Sequence, residues 1–154
     1  MTEAKRIKVA ILNTYVPVPS INGGAEHTRH LVNYLSRRED IELHVVTLSD
    51  KNADFKRDSS GLHLHLVKKR FVFPSYIPHA VPSLRHRIKE INPDIIHVPG
   101  LSIPYATTAA LLKDKYPTVL TSFGFTLYAI KYESRIQRIK YLLTGKPNDK
   151  YVIS

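Results

Sequence analysis

Two consecutive glycines, Gly23 and Gly24, stand directly in front of a segment with helical periodicity. Glycine has no side chain to hold a ligand away from the backbone, and it tolerates conformations that other residues avoid. The first N–H groups of a helix lack partners within the helix, and the helix dipole favours an anion beside them. The pair is therefore typical of a phosphate-binding loop. An ordinary turn is the alternative, because the segment is neither a G-x-G-x-x-G fingerprint nor a Walker loop.

Eight histidines offer metal-binding or proton-transfer chemistry. His63 and His65 stand two apart in a strand pattern, and His27 and His30 stand three apart in a helical pattern. The sequence shows no carboxylate placed to complete a ligand set with either pair, so we expect solvated polar faces and no metal site. His97 lies in an apolar strand, where it is either a buried, hydrogen-bonded histidine or a catalytic group at the strand's end.

The elements that must position these residues alternate between strands and helices. Apolar or alternating runs predict six strands, at residues 7–12, 41–49, 62–68, 94–100, 117–124 and from 150 onwards. Helical periodicity predicts helices at residues 25–38, 81–92 (with Pro82 in the first turn), 105–115 and 127–143. Residues 50–61 are polar and aperiodic, and they predict a loop. This alternation predicts an α/β fold with a Rossmann-like, doubly wound parallel sheet.

The chain has 154 residues, which suits a single domain over residues 1–154, and it contains no cysteine. Disulfides, thiol catalysis and thiolate zinc sites are thereby excluded. The net charge of +10 favours polyanionic partners, although a solvated basic surface is the alternative. Nucleic acid is not expected, because no nucleic-acid-binding motif or stacking platform is present. No apolar run reaches the roughly 20 residues of a membrane span, and no signal-cleavage site follows the first strand, so we expect a cytoplasmic protein.

Residues 68–89 mix cations with aromatic side chains. Such a segment can dock on the inner face of a membrane, since basic residues near an anionic leaflet gain about 1 kcal/mol each. Core packing is the alternative, in which the cations are solvated and the apolar side chains are buried, namely Phe71, Phe73, Tyr76 and Ile77. The sequence leaves both interpretations open.

Five segments, in order, resemble the N-terminal half of the retaining sugar-nucleotide glycosyltransferases of the GT-B fold, in glycosyltransferase family four. They are KVAILNTYVPVPSINGGAEHTRHLVNYL, HVVTLSD, INPDIIHVPG, PTVLTSFGFTLY and DKYVIS. In such enzymes two Rossmann-like domains face each other across a cleft, and the N-terminal domain mainly holds the acceptor. The resemblance implies that Gly23, Gly24, Ala25 and Glu26 form a loop that approaches the donor diphosphate.

The resemblance also implies the reaction. A hexose-type sugar would pass from a nucleotide-sugar to a sugar or lipid-linked acceptor, with retention, without a metal and without a cofactor. Relatives often carry a histidine before the glycine that ends the fifth strand, and Phe123 stands there in this chain. A second histidine often follows the fourth strand in a His-x-His pattern, and Pro99 takes its place. The candidate catalytic residues are therefore His97, Ser122 and Thr126, and the candidate acceptor-side residues are Phe123, Gly124 and Gly100.

Members of this family are roughly twice as long, as two domains require. Their C-terminal domain binds most of the nucleotide and stabilises the leaving diphosphate, which is usually the largest catalytic contribution. We therefore expect this chain to be inactive alone and to be an excised domain, a truncated gene product or half of a split enzyme. Two alternatives remain: a non-catalytic Rossmann-like module that binds anionic lipid or another polyanion, and a sugar-nucleotide epimerase, which shares the two-domain fold.

Overall fold

The computed structural model describes residues 6–15, 17–19, 23–50, 53–57, 61–69 and 77–122, with residues 53–57 and 77–78 described by their backbone alone. Six strands and three helices lie in this part of the chain. In chain order they are β1 (Ile7–Leu12), α1 (Gly23–Leu35), β2 (Ile41–Ser49), β3 (Ala53–Arg57), β4 (Leu62–Lys68), α2 (Ile77–Ile91), β5 (Ile95–Pro99), α3 (Ile103–Ala110) and β6 (Thr118–Thr121).

The strands form one sheet in the order β3-β4-β2-β1-β5-β6. Neighbouring strands from β4 to β6 are parallel, and β3 joins the edge antiparallel to β4. The predicted Rossmann-like α/β fold is therefore confirmed. The chain runs outward from β1 to β2 and β4, and it then returns to β5 on the other side of β1. Ligands of such sheets bind outside the carboxyl ends of the strands at this reversal.

The hydrophobic core has one layer on each side of the sheet, because successive side chains of a strand point to opposite faces. One layer packs against α1 and includes Val9, Ile11, Val32, Leu43 and Val45. The other packs against α2 and α3 and includes Ala10, Leu12, Val46, Leu84, Ile88, Ile96 and Tyr105. The four residues from Val9 to Leu12 are all buried, as the apolar run at the centre of a parallel sheet predicts.

The segment predicted as a loop, residues 50–61, contains β3. Ala53 pairs with Leu66 and Arg57 pairs with Leu62 across the antiparallel ladder. This pairing satisfies the backbone edge of β4. No alternation of apolar and polar residues within the segment predicts a strand there. The prediction of a loop is therefore wrong for residues 53–57, and long-range pairing is the physical reason.

All three described helices begin earlier than predicted, and α1 does so by two residues. α2 starts at Ile77, so Pro82 lies inside the helix and the prediction that it occupies the first turn is wrong. α3 starts at Ile103 with Pro104 in its first turn and ends at Ala110, and turns cover residues 111–115. Proline is tolerated in a first turn because the N–H that it lacks has no partner there.

Several predicted features lie outside the described residues. They are the helix at residues 127–143, the strand from residue 150, the side chains Phe71, Phe73, Tyr76 and Ile77, and the candidate site residues Phe123, Gly124 and Thr126. Among the helices that the structure does describe, none has both the length and the apolar character needed to cross a membrane.

Candidate functional site

The glycine pair opens α1. The helix begins at Gly23 rather than at the predicted Ala25, and Gly24 also lies in the first turn. Neither glycine adopts a positive φ, so the pair does not use the conformational freedom that glycine allows. The pair instead leaves space, because Gly23 is exposed and a Cβ atom added there would meet nothing within 4 Å. A ligand group can therefore approach the first turn of the helix, where the helix dipole favours an anion.

Asn13, directly after β1, fixes the position of this helix start. Its side-chain amide donates to the hydroxyl of Thr28 at 2.8 Å and to the carbonyl of Pro99 at the end of β5. The Thr28 hydroxyl donates in turn to the carbonyl of Gly24 at 2.9 Å, and Thr28 is fully buried. Asn13 also accepts from the backbone N–H of Thr14 at 2.8 Å. One side chain thus connects the ends of two neighbouring strands with the first turn of α1.

Sequence reasoning misses this role of Asn13. In the sequence, Asn13 only ends an apolar run, and Thr28 only belongs to the inward face of a helix. The available signal is the buried position of Thr28 in the helical pattern, since a buried hydroxyl needs a hydrogen-bond partner. The pattern does not say which residue provides that partner, because the two residues are 15 positions apart.

His97 lies at the same edge of the sheet, half-buried on β5. Its Nε2 atom is 2.9 Å from the hydroxyl of Thr121 on β6. Its register partner on β1, Ile11, packs in the core layer beside α1. Burial lowers the pKa of His97, and the charge of His27 on α1 lowers it further, so the imidazole is neutral near pH 7. His97 is therefore a partnered histidine that can also exchange hydrogen bonds with a ligand.

Gly100 and Ser122 follow β5 and β6 at this edge. Gly100 has a φ of 98°, which strongly favours glycine, and its N–H donates to the carbonyl of Thr121 at 2.7 Å. Ser122 is exposed directly after β6. Of the residues predicted for the catalytic and acceptor sides, the structure thus gathers His97, Gly100 and Ser122 at the carboxyl ends of adjacent strands.

Glu26, the acidic residue of the predicted phosphate loop, is engaged on the surface of α1, and Ala25 is half-buried beside it. The guanidinium of Arg29 binds both carboxylate oxygens of Glu26, through Nε at 3.0 Å and through Nη2. His30 Nε2 lies 3.0 Å from the same carboxylate. The hydrogen bond with Glu26 raises the pKa of Arg29. An anion at the start of α1 would therefore meet a carboxylate whose charge is already compensated.

The two histidine pairs behave differently from each other. His27 and His30 are exposed on α1, as expected. His63 and His65 are half-buried on β4 rather than solvated, so that expectation is wrong. The expected absence of a nearby carboxylate is also wrong, because Glu42 on β2 lies 4.0 Å from His63. Parallel pairing of β2 with β4 brings these residues together, and spacing along one strand does not reveal it.

The fold and the arrangement of this edge define a Rossmann-like domain that matches one half of a GT-B glycosyltransferase. A sucrose-phosphate synthase from Thermosynechococcus elongatus has a similar structure, with a TM-score of 0.62 and 10% sequence identity, and the match covers 84% of this chain. At that identity the likeness concerns the fold alone. This chain spans 36% of the length of that structure.

A family model described as Glycosyltransferase Family 4 matches residues 21–145. The chain therefore belongs to glycosyltransferase family 4. No curated protein matches the sequence.

Proposed function

We propose that this chain is the N-terminal, acceptor-side domain of a glycosyltransferase that transfers a sugar from a nucleotide-sugar to a sugar or lipid-linked acceptor. Family membership supports a transferase over the epimerase alternative. The 36% coverage of the similar structure supports a two-domain enzyme, in which a second domain or a partner chain binds most of the nucleotide. The observation that carries the proposal is the open start of α1 at Gly23, at the sheet edge where Rossmann-like folds bind their ligands.

The start of α1 suits a diphosphate. The dipole of this 13-residue helix favours an anion at its first turn and contributes about 0.3–1 kcal/mol at an exposed site. The Asn13–Thr28 hydrogen bond holds this turn against β1 and β5 before a ligand arrives. A group that is already in place costs no reorganisation when charge develops on the leaving diphosphate.

The His97–Thr121 pair suits a sugar hydroxyl. The neutral imidazole and the Thr121 hydroxyl can each donate and accept hydrogen bonds. The exposed Ser122, directly after Thr121 at the end of β6, adds a second hydroxyl. We assign these residues to acceptor positioning. Phe123, Gly124 and Thr126 remain candidates for the same side of the cleft, and transfer with retention, without a metal or cofactor, remains part of the proposal.

The test uses the natural full-length gene product, or this chain with its partner if the enzyme is split. The protein is incubated with a panel of nucleotide-sugars and candidate acceptors, and the released nucleoside diphosphate is measured. We expect release with at least one donor, a product of retained anomeric configuration, and a slower rate in His97→Asn. Lys113→Asn, at an exposed position in the turns between α3 and β6, is the control. Absence of transfer across the panel, or an unchanged rate in His97→Asn, would contradict the assignment.

A basic groove favours a second candidate function, binding of a polyanion such as anionic lipid. The groove lies between the end of β4 and α2, and its charged or titratable side chains are Lys68, His79, His86 and Arg87. His86 and Arg87 each lie 3.3 Å from the carboxylate of Glu90. Together with the net charge of +10, this groove would attract an anionic surface such as that of a membrane. This function is compatible with transfer to a lipid-linked acceptor. It would place the protein in peripheral contact with a membrane.

A further inference from the structure

A second polar cluster lies on the face of the sheet that packs against α2. Glu42 and His44 alternate along β2, and His63 and His65 alternate along β4. The register pairs His44 with His63, so all four residues share one face. Glu42 pairs in turn with Lys8 at the start of β1, five residues before Asn13. At the usual rise of a strand this separates the cluster from the candidate functional site by roughly 16 Å.

Three of these side chains converge. Glu42 Oε1 lies 2.9 Å from His44 Nε2 and 4.0 Å from His63 Nε2. One ligand atom from each residue lies within 4.8 Å of the other two. The imidazoles of His44 and His63 stack, with centroids 4.5 Å apart and an interplanar angle of 11°. Ligands about 2.0–2.2 Å from a tetrahedral Zn²⁺ are about 3.3–3.6 Å from one another, which is close to the separations found here. To direct both nitrogen lone pairs at one ion, the two imidazoles would have to turn out of their stacked arrangement.

His65 supports His44 from the opposite side. His65 Nε2 lies 2.9 Å from His44 Nδ1, and the two rings are stacked. Histidines that bind a metal usually donate their second ring N–H to a fixed acceptor, which sets the tautomer. When His44 donates from Nδ1 to His65, its Nε2 lone pair points to the space shared with Glu42. Without a metal, the opposite tautomer donates Nε2–H to Glu42, so a metal would take the place of that proton.

The protonation states suit metal binding at neutral pH. The pKa of His44 is lowered to about 4, mainly by burial. The hydrogen bond and the charge of Glu42 raise this pKa, whereas the charges of His63 and His65 lower it. Burial alone would raise the pKa of Glu42, but the hydrogen bond from His44 and the charge of Lys8 outweigh it and lower the pKa. A metal therefore meets a neutral imidazole and an ionised carboxylate, which are the forms that bind it.

Access and competing charge also bear on the site. The side chains of His63 and Glu42 are 26% and 33% exposed, so an ion can enter from solvent. Lys8 Nζ lies 3.9 Å from Glu42 and is a competing cation. It also donates to the carbonyl of Ile91 at 3.3 Å, which holds it toward the end of α2.

We propose that Glu42, His44 and His63 form a binding site for a divalent metal of borderline softness, with Zn²⁺ as the best-fitting ion and water completing the coordination. Two imidazoles and one carboxylate are ligands that suit Zn²⁺, whereas Mg²⁺ prefers oxygen ligands in an octahedron. The metal would cross-link β2 to β4. The site lies away from the proposed transfer site, so it assigns the metal a structural role that does not depend on the reaction.

Calorimetric titration with Zn²⁺ tests the proposal on the 154-residue chain, purified without a histidine tag and treated with a chelator that is then removed. We expect one equivalent of Zn²⁺ to bind with micromolar or tighter affinity, and Mg²⁺ not to bind. Glu42→Gln and His63→Asn should each weaken binding by at least about 10-fold, and His65→Asn by about 10–100-fold through loss of the support to His44. His86→Asn, an exposed histidine beside Glu90, should leave the affinity unchanged.

X-ray absorption at the zinc edge of the unmodified chain provides a readout that does not depend on the folding of any variant. We expect a spectrum with two imidazoles and oxygen ligands. Absence of zinc uptake at micromolar free metal, a spectrum without imidazole, equally tight Mg²⁺ binding, or an affinity unchanged by both Glu42→Gln and His63→Asn would overturn the proposal.

Discussion

The side-chain amide of Asn13 donates to the hydroxyl of Thr28 at 2.8 Å, and this contact joins the end of β1 to the second turn of α1. The Thr28 hydroxyl in turn donates to the carbonyl of Gly24 in the first turn. The same amide donates to the carbonyl of Pro99, so the helix start is fixed relative to two strands. The contact therefore determines where the open space beside Gly23 lies.

Asn13→Ala should lower both stability and donor affinity. Removing the amide leaves the buried Thr28 hydroxyl and the Pro99 carbonyl with one partner fewer, which costs about 1–3 kcal/mol. Urea unfolding of the chain measures the stability, and the KM for the nucleotide-sugar in the complete enzyme measures the affinity. Thr28→Val removes the other half of the contact, so the double variant should cost less than the sum of the two single variants.

Asn33→Ala on the same helix is the control for that experiment, with an expected change within about 0.5 kcal/mol. Additive costs of Asn13→Ala and Thr28→Val would show that the hydrogen bond does not couple the strand to the helix.

Replacing Gly23 by alanine should preserve both folding and function. A bulkier side chain at this position should impair donor binding without preventing folding. The space around Gly23 is open, so Gly23→Ala should be neutral or should stabilise the helix by up to about 1 kcal/mol. Gly23→Val places a branched side chain where the proposed diphosphate approaches, and it should raise the donor KM at least about 10-fold. Both variants are compared by thermal unfolding and by donor kinetics. Equal donor kinetics in the two variants would argue against a phosphate at this helix start.

Gly100→Ala tests a position that, unlike Gly23, requires glycine because of its backbone conformation. With a φ of 98°, Gly100 occupies a region that other residues enter at a cost of about 1–2 kcal/mol. We expect a loss of stability of that size in urea unfolding, in contrast to Gly23→Ala. A stability equal to that of the unmodified chain would mean that the turn after β5 relaxes without cost.

The fold was predictable where local patterns decide the structure. The run Ile7–Leu12 reads as a strand buried on both faces, and it occupies the centre of the sheet with both core layers against it. Helix starts were less predictable: the apolar spacing of α2 matches its buried face, but the spacing does not mark the extra turn before Pro82. β3 was missed because its stabilising partner is the edge of β4, not its own periodicity.

The candidate site was predictable only in part. Gly23, Gly24 and Gly100 carry signals in their own residue types, and His97 stands out as a titratable group in an apolar strand. The partners Asn13 and Thr121 carry no such signal, because they matter only after three chain segments meet. Proximity across strands is what turns ordinary polar residues into a site.

The low pKa of His44 predicts a loss of stability in acid. The pKa is about 4 in the folded chain against an ordinary 6.5, because burial disfavours the imidazolium. As the pH falls from 6.5 toward 4, the unfolded chain binds a proton that the folded chain does not. The free energy of unfolding should therefore fall by up to about 1.4 kcal/mol per pH unit, and solvent screening makes the slope smaller.

Urea unfolding across this pH range, with a metal chelator present, measures the slope. His44→Leu should show a flatter dependence, whereas His86→Asn, whose side chain is 77% exposed, should keep the slope of the unmodified chain. His97 also has a lowered pKa and contributes in the same direction, so the comparison between variants isolates His44. Identical slopes for His44→Leu and the unmodified chain would refute the assignment.

The basic groove predicts binding to anionic vesicles. Vesicles that contain phosphatidylserine should sediment with the chain, and added salt should weaken the association because it screens exposed charges. Lys68→Glu, in the groove, should weaken binding by roughly 1–2 kcal/mol, since each basic residue contributes about 1 kcal/mol. Lys113→Glu after α3 is the control with the same charge change. Equal sedimentation with neutral vesicles would remove the membrane contact.

The antiparallel strand β3 also bears on how copies of this chain meet. By pairing with β4 it occupies backbone donors and acceptors that could otherwise recruit a strand from another molecule. β3 is only five residues long, and three of them are charged, namely Asp54, Lys56 and Arg57. Short, charged outer strands are poor templates for intermolecular β-pairing. This edge of the sheet should therefore resist aggregation through intermolecular β-pairing, both during synthesis and at high protein concentration.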